Sequence, residues 1–312
     1  MVIQPVRTKR AIFTPKEYIL IMKAAIYSRV MEAEQQKDFQ LFFDELAVQK
    51  IEPVIFQPFF NAIKDKLHLP AGTATFSDSA DLHDIEFIIS LGGDGTLLDT
   101  VTLVRNQDIS IMGINFGRLG FLAGIGRDEV TRAVKAMAQR TYVVDKRTMI
   151  HVDASIPLFG DVPYGLNEFS IHKRDVASMI KIHTYLNGEF LNTYWADGLI
   201  VATPTGSTGY SLSCGGPVVF PDSGSFVITP VAPHNLNVRP IVVPDNNIIS
   251  FEIESRSDQF ICALDSRREI VSKDIQLAVK KEDFDISLVR LSENNFLQTL
   301  RNKLTWGLDK RN

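Results

Sequence analysis

The residues best suited to chemistry in this chain are a carboxylate set among three glycines, directly after an apolar segment. Gly92-Gly93-Asp94-Gly95-Thr96 follows Glu86-Phe87-Ile88-Ile89-Ser90-Leu91. Glycines lack a Cβ, so the backbone could approach a diphosphate closely, and the N-terminus of a helix beginning at Thr96 would favour its negative charge. A carboxylate would repel phosphate, so we expect Asp94 to orient or deprotonate a hydroxyl group, or to hold Mg²⁺.

The local sequence leaves a second interpretation of these glycines open. They could form only a tight turn between a strand and a helix, with the Asp94 side chain capping the helix. A short glycine motif is weak evidence by itself, so the rest of the chain has to decide between a phosphate site and a simple turn.

A second polar segment follows a predicted strand over residues 199–202. It reads Thr203-Pro204-Thr205-Gly206-Ser207-Thr208-Gly209-Tyr210 and, beyond Ser213, closes with Gly215-Gly216-Pro217. Small and hydroxylated residues offer many N–H and O–H groups at little steric cost, which suits a polar ligand such as a nucleotide. Composition alone fits a surface loop rich in Ser and Thr equally well.

The elements around Asp94 alternate between strand and helix. Apolar runs predict strands over 22–28, 53–57, 87–91 and 109–115, and helical spacing predicts helices over 32–50, 59–67 and 96–104, with a polar loop at 71–84. This alternation indicates a parallel sheet with helices on its faces. Asp94 would then lie at the carboxyl end of a strand, where such folds bind ligands.

From about residue 142 the pattern becomes that of an antiparallel β domain. Asn187-Gly188 separates two alternating segments, which is a strong hairpin signal. Phe296, Leu297, Leu300 and Leu304 recur at helical spacing and predict a final amphipathic helix. We therefore expect an extension at 1–21, an α/β domain at 22–141, a β-rich domain at 142–291 and a C-terminal helix at 292–312.

Composition and charge narrow the class of protein. The 312 residues carry a formal charge of −4 with a pI of about 5.9, whereas a general nucleic-acid binder is normally basic. No apolar run approaches the roughly 20 residues that span a bilayer, and charged residues interrupt any signal-peptide core. Cys214 and Cys262 lie far apart, which favours free thiols in a reducing compartment. We expect a cytoplasmic protein with no nucleic-acid or membrane partner.

Taken together, these motifs closely resemble the NAD kinase family. The resemblance rests on Gly92-Gly93-Asp94-Gly95, on Gly117-Arg118-Leu119-Gly120-Phe121-Leu122, on Asn167-Glu168 and on the run from Asp197 to Pro217. The first motif is shared with lipid kinases and phosphofructokinases, whereas the Thr-Pro-Thr-Gly-Ser-Thr run is highly specific. The resemblance covers the chain from Met22 onwards and implies a site between an α/β domain and a layered β domain, with the C-terminal helix packed back on the first domain.

The resemblance also implies roles for individual residues. Asp94 is implied as the catalytic carboxylate, acting on the 2′-hydroxyl of the adenosine ribose of NAD, with ATP as phosphoryl donor and Mg²⁺ as cofactor. The backbone of Gly92, Gly93 and Gly95 would pass close to phosphates. The residues implied to bind NAD are Gly95, Phe121, Asn167, Glu168, Asp197, Thr208, Tyr210, Ser213 and Asp265. Asp197 would reach NAD on a neighbouring subunit of a homo-oligomer, a dimer or a tetramer. No residue is assigned as a metal ligand.

The chain departs from the family pattern at two places. Gly209 stands where Ala is commoner, and Trp195-Ala196 precedes Asp197 where relatives often carry Arg or Gly with a small residue. Two alternative functions are a lipid kinase, which would need an apolar site or a basic membrane face, and a non-catalytic NAD(P) sensor, which would tolerate loss of Asp94.

The histidines have weaker claims to function. His151, His172 and His183 alternate with apolar residues and are expected to face solvent from strands. His234 lies between Pro233 and Asn235, where it could bind phosphate or simply occupy a turn.

Overall fold

Strands and helices alternate in the first half of the computed structural model, which describes residues 22–117, 120–175 and 178–305. The strands are β1 (Lys23–Tyr27), β2 (Glu52–Phe56), β3 (Ala74–Phe76), β4 (Phe87–Leu91), β5 (Ser110–Asn115), β6 (Ile125–Gly126) and β7 (Tyr142–Arg147). The helices are α1 (Gln36–Val48), α2 (Gln57–Ile63), α3 (Asp94–Val104) and α4 (Val130–Ala138).

The second half is almost entirely β-structure. Its strands are β8 (Ile150–Ala154), β9 (Tyr164–Gly165), β10 (Glu168–Lys173), β11 (Ile180–Leu186), β12 (Glu189–Ala196), β13 (Gly198–Ala202), β14 (Ser225–Val231), β15 (Ile241–Pro244), β16 (Ile249–Glu254), β17 (Gln259–Leu264), β18 (Arg267–Ser272), β19 (Leu277–Lys281) and β20 (Ile286–Leu291). This half also contains a single turn of helix, α5 (Tyr210–Ser213), and the final helix, α6 (Phe296–Leu304). Short 3-10 helices lie at Ala33–Gln35, Ser79–Asp81, Arg127–Glu129 and Gly206–Thr208.

The first sheet sets the position of the glycine motif. Its order is β3-β2-β1-β4-β5-β20-β7, with β6 added to β5, and strands β1 to β5 run parallel. The chain moves outward from β1 to β3 and then returns to β4 on the other side of β1. The strand order therefore reverses between β1 and β4, and the crevice at their carboxyl ends is the place where open α/β sheets bind ligands.

Helices cover both faces of this sheet, which is why its central strands are apolar throughout. All five residues of β4 are buried. Along β1, Ala24 and Ile26 pack in one apolar cluster with α1 and α4, while Ala25 and Tyr27 pack in another with α3. This alternation is the expected result of a parallel sheet buried on both sides.

Two six-stranded antiparallel sheets form the second domain, as the sequence predicts. Their orders are β15-β14-β13-β10-β17-β18 and β12-β11-β16-β19-β8-β9. The predicted hairpin at Asn187-Gly188 joins β11 to β12, and both residues have positive φ, 49° and 84°. Such angles fit the two-residue turns that match the twist of paired strands.

Three features differ from the sequence-based expectations. The predicted polar loop at 71–84 contains β3, which is too short to show an alternating pattern. Strands β7 and β20, assigned from sequence to the β-rich domain, belong to the first sheet, where they pair antiparallel. Alternation within a strand predicts its type but not the sheet that it joins. Helix α3 begins at Asp94, two residues earlier than predicted.

The two domains share an apolar cluster that brings the second domain against α3. Met149, Tyr164 and Leu166 pack in the same cluster as Leu97 and Val101. Helix α6 follows β20 and buries Leu300. The predicted extension at 1–21 and the last part of the predicted C-terminal helix, 306–312, lie outside the described residues. Within the described chain, no helix has the length and apolar character needed to cross a membrane.

Candidate active site

The glycine turn after β4 is built so that only glycine fits its first position. Gly92 has a φ of +154°, and a Cβ there would lie 2.5 Å from Oγ1 of Thr96. Its N–H donates to the carbonyl of Ile114 at 2.9 Å, which fixes the turn to β5. Gly93 is the N-cap of α3 and accepts from the N–H of Thr96 at 3.0 Å.

The Asp94 carboxylate is held by the backbone of a distant segment. Oδ2 accepts from the N–H of Phe121 at 2.8 Å, and Oδ1 accepts from the N–H groups of Leu122 and Ala123, both at 3.0 Å. The simple capping interpretation is therefore wrong, because Gly93 rather than Asp94 is the N-cap. A carboxylate offers about four acceptor positions, so one on Oδ2 remains for a ligand hydroxyl.

Gly120 makes this arrangement possible. A Cβ at Gly120 would lie 1.7 Å from Oδ1 of Asp94, so any side chain would displace the carboxylate or the segment that holds it. Phe121 was predicted to bind NAD, and the structure gives its backbone N–H a supporting role. The Phe121 ring lies 6.0 Å from Nζ of Lys303 on α6.

A cleft of about 270 Å³ opens beside the glycine turn, at the carboxyl ends of β1 and β4. Gly92 and Gly93, predicted to contact phosphates, line it together with Thr96, Asn115 and Arg29. Gly95 is exposed beside the Arg29 guanidinium. Backbone N–H groups at the start of α3 have no partner within the helix, so this end of the helix favours an anion.

Asn167 and Glu168 lie where the chain enters β10, and Asp265 holds them in place. Its carboxylate accepts from the N–H groups of Leu166 (2.8 Å), Asn167 (2.8 Å) and Glu168 (3.0 Å). Burial raises the pKa of Asp265, and these three donors oppose that rise. Asp265 was predicted to contact NAD, but every hydrogen bond that the structure gives its carboxylate goes to the backbone. These contacts fix the backbone of residues 166–168.

Two buried acceptors in this turn have no hydrogen-bond partner among the residues that the structure describes. They are Oδ1 of Asn167 and Oε2 of Glu168. Burial, and secondarily the charge of Asp265, raises the pKa of Glu168 to about 8. An unsatisfied buried polar atom typically costs about 1–3 kcal/mol, so these atoms are well placed to gain from a ligand that brings donors.

The segment rich in Ser and Thr packs directly on this turn and is not a surface loop. Oγ1 of Thr203 donates to the carbonyl of Leu166 at 2.6 Å, and the N–H of Thr203 donates to the carbonyl of Asn167 at 2.8 Å. A Cβ on Gly206 would lie 2.0 Å from that same carbonyl oxygen. Thr203 and Ser207 are fully buried, so these hydroxyls hold the loop in place.

The residues after this loop are more accessible. Oγ1 of Thr208 donates to the carbonyl of Thr205 at 3.1 Å, Ser213 is exposed, and Tyr210 is 41% exposed. The Tyr210 ring lies 5.7 Å from the ring of His172. His172 differs from its prediction, because it is half-buried, contacts Oγ of Ser170 at 3.0 Å, and has a pKa lowered by burial.

Asp197 stands at the end of an edge strand of the second domain. It forms an ion pair with Nζ of Lys173 at 2.6 Å within its own chain. Trp195, two residues earlier, is 43% exposed and stacks on His234 with ring centroids 4.3 Å apart. His234 therefore packs against an aromatic ring in a turn.

The described residues contain no group of three or more His, Cys, Asp or Glu side chains placed to hold a metal ion. Mg²⁺ in phosphoryl-transfer sites is commonly held by one or two carboxylates together with substrate phosphates and waters. The one remaining acceptor position of Asp94 can serve either such an ion or a ligand hydroxyl, and not both at once.

A glycine-flanked carboxylate at the carboxyl edge of a parallel sheet, in a chain whose second domain is made of antiparallel sheets, is typical of two-domain kinases with a Gly-Gly-Asp-Gly motif. Two family models match the chain: the ATP-NAD kinase N-terminal domain over residues 2–142 and the ATP-NAD kinase C-terminal domain over residues 166–291. The chain belongs to the NAD kinase family. The first match begins within residues 1–21, which were expected to form an extension.

Individual relatives agree with this assignment. The NAD kinase of Cytophaga hutchinsonii is 50% identical over 278 residues, which are 89% of this chain and 91% of that protein. The NAD kinase of Flavobacterium psychrophilum is 42% identical over 93% of this chain and all of its own length.

Solved structures agree as well. An NAD kinase from Archaeoglobus fulgidus in complex with ATP has a TM-score of 0.71 at 26% identity, covering 91% of this chain and 99% of that one. Yeast NADH kinase complexed with NADH has a TM-score of 0.83 at 20% identity, covering 93% and 89%, and supports the fold.

Proposed function

We propose that this protein transfers the γ-phosphoryl group of ATP to the 2′-hydroxyl of the adenosine ribose of NAD, giving NADP and ADP. The observation that carries the proposal is the Asp94 carboxylate, fixed by three N–H donors next to a cleft lined by glycines. The extensive similarity to NAD kinases supports NAD as acceptor, and the ATP complex of the Archaeoglobus fulgidus relative supports ATP as donor.

The chemistry needs an oriented hydroxyl more than a reactive side chain. The 2′-hydroxyl donates to the free position on Oδ2 of Asp94, its oxygen forms a bond to the γ-phosphorus, and the bond from that phosphorus to the bridging oxygen of ADP breaks. The hydroxyl proton passes to Asp94. Positioned bases of this kind typically contribute about 10² to 10⁴ in rate.

Asn167 and Glu168 are proposed to hold the acceptor. Their unpartnered atoms, Oδ1 and Oε2, accept hydrogen bonds from ribose hydroxyls or the adenine amino group. Thr208, Tyr210 and Ser213 border the same turn through the packed loop and complete the dinucleotide site. Asp265 acts through the backbone of residues 166–168 and does not need to touch NAD.

Mg²⁺ is proposed as cofactor, held by the phosphates of ATP and by waters, because the free position on Asp94 accepts from the 2′-hydroxyl. When bound, it would neutralise charge on the transferring phosphoryl group. We also propose a cytoplasmic homo-oligomer in which Asp197 reaches the NAD site of a neighbouring subunit. The exposed Trp195 beside Asp197 and the edge position of β12 support this arrangement.

The test is direct. The purified protein, incubated with NAD, ATP and Mg²⁺, is expected to produce NADP, measured with a dehydrogenase that accepts only NADP. Hydrolysis of ATP without formation of NADP would contradict the proposal. Binding of NAD with no turnover would favour a sensor.

A further inference from the structure

The guanidinium of Arg29 lies at the rim of the cleft beside the glycine turn. Arg29 follows β1 by two residues, so it stands at the carboxyl end of the strand adjacent to β4, where the order of the sheet reverses. It lines the same cleft as Gly92 and Gly93. Sequence reasoning missed it because a single arginine after a strand belongs to no motif.

A fixed network holds this guanidinium over the first turn of α3. Nη2 donates to Oδ1 of Asp99 at 2.7 Å and to the carbonyl of Gly95 at 3.2 Å, and Nε donates to Oδ2 of Asp99. The Tyr27 hydroxyl donates to the same Oδ2 at 3.1 Å. Burial, helped by Asp99, raises the pKa of Tyr27 to about 12, so the hydroxyl stays protonated and remains a donor.

The network leaves donors unused. A guanidinium has five N–H bonds, and the contacts above use three of them. None of these contacts involves Nη1, which lies 3.6 Å from the position that a Cβ on Gly95 would take. The side chain is 49% exposed, so these two N–H bonds are accessible to a ligand.

We propose that Nη1 of Arg29 binds a phosphate group of the phosphoryl donor, with Asp99 and Tyr27 as positioning residues. This inference rests on the proposed function and names a donor ligand for it. Arginine is suited to the task because its planar, permanently charged fork matches phosphate oxygens. The surrounding groups favour the same ligand, since the glycine backbone and the N-terminus of the 11-residue α3 line the cleft.

The chain offers a matched control. Arg140 forms a comparable two-bond ion pair with Glu86 and is 59% exposed, but Glu86 precedes β4, so this pair lies at the opposite end of the strand. Arg29→Met and Arg140→Met each remove one charge and one exposed ion pair while keeping a long apolar stem. Only Arg29→Met is expected to change donor binding.

The experiment measures KM for ATP and for NAD in both variants, and the binding of inorganic tripolyphosphate by calorimetry. For Arg29→Met we expect KM for ATP to rise about 10- to 100-fold, the usual effect of losing a charged hydrogen bond. KM for NAD should stay within twofold, and tripolyphosphate binding should weaken in parallel. Arg140→Met should match the wild type in all three.

The outcomes separate this inference from the proposed function. An unchanged KM for ATP in Arg29→Met, or equal rises in both KM values, would overturn the role of Arg29 while NADP formation stands. If the wild type makes no NADP, the proposed function fails, and tripolyphosphate binding alone still decides whether Arg29 holds phosphate. If Arg29→Met unfolds, Arg29→Lys must still weaken ATP and tripolyphosphate binding, and wild-type values for both would overturn the inference.

Discussion

Replacing Gly120 by Ala should disable catalysis while leaving most of the fold intact. The added Cβ would lie 1.7 Å from Oδ1 of Asp94, far inside any real contact, so either the carboxylate or the segment that holds it must move by more than 1 Å. The three N–H bonds from Phe121, Leu122 and Ala123 could not all survive such a shift. Displacing a positioned catalytic group by about 1 Å can cost about 10² in rate.

The assay compares kcat, KM for NAD and melting temperature in Gly120→Ala and Gly124→Ala. Gly124 lies four residues further on in the same segment, and a Cβ there would meet nothing within 4 Å. We expect kcat of Gly120→Ala to fall about 100-fold or more, with KM for NAD changed only several-fold, while Gly124→Ala retains wild-type rates. Equal activity of Gly120→Ala and Gly124→Ala would refute the idea that the 121–123 backbone sets the Asp94 carboxylate.

Three further predictions follow from the second domain. Asp265→Asn should raise KM for NAD more than KM for ATP, because it weakens the three N–H contacts that hold Asn167 and Glu168; equal effects on both would contradict this. The raised pKa of Glu168 stabilises the fold fully below about pH 4.5, and this contribution is lost as the pH rises towards the folded pKa of about 8. In urea titrations, the unfolding free energy of the wild type should therefore fall relative to that of Glu168→Gln between pH 5 and pH 8.5. Unfolding free energies that change in parallel with pH would contradict the raised pKa of Glu168. Asp197→Ala should weaken NAD binding about 10- to 150-fold, and a fully active monomer by light scattering would count against a shared site.

The sequence predicted the main elements because their periodicity is strong and local. The apolar run of β4, the helical spacing in α1 and the Asn187-Gly188 turn each carry their own signal. The placement of β7 beside β20 carries none, because that pairing joins residues more than 130 positions apart. The parallel arrangement of the first strands was predictable, whereas the sheet to which a late strand returns was not.

Candidate site residues could be predicted where their side chains form a motif. The contacts made by backbone N–H groups could not. Asp94, Asn167 and Glu168 could be proposed as site residues because their residue types and order are distinctive. The N–H groups of residues 121–123, which hold Asp94, cannot be recognised from the side chains of those residues. Only Gly120, which lacks a Cβ, indicates that the Asp94 carboxylate comes close to the backbone there. The backbone contacts of Asp265 could not be predicted, since a carboxylate bonded to backbone N–H groups looks the same in sequence as one that contacts a ligand.

The most direct test of the account compares wild-type protein with Asp94→Asn. The substitution keeps the shape of the side chain and removes its charge, so the carboxylate can no longer take the proton of the 2′-hydroxyl. We expect NAD affinity, measured by calorimetry, to stay within several-fold, and the rate of NADP formation to fall by about 10² to 10⁴. A turnover rate of Asp94→Asn within threefold of wild type would contradict the assignment of Asp94 as the group that activates the 2′-hydroxyl.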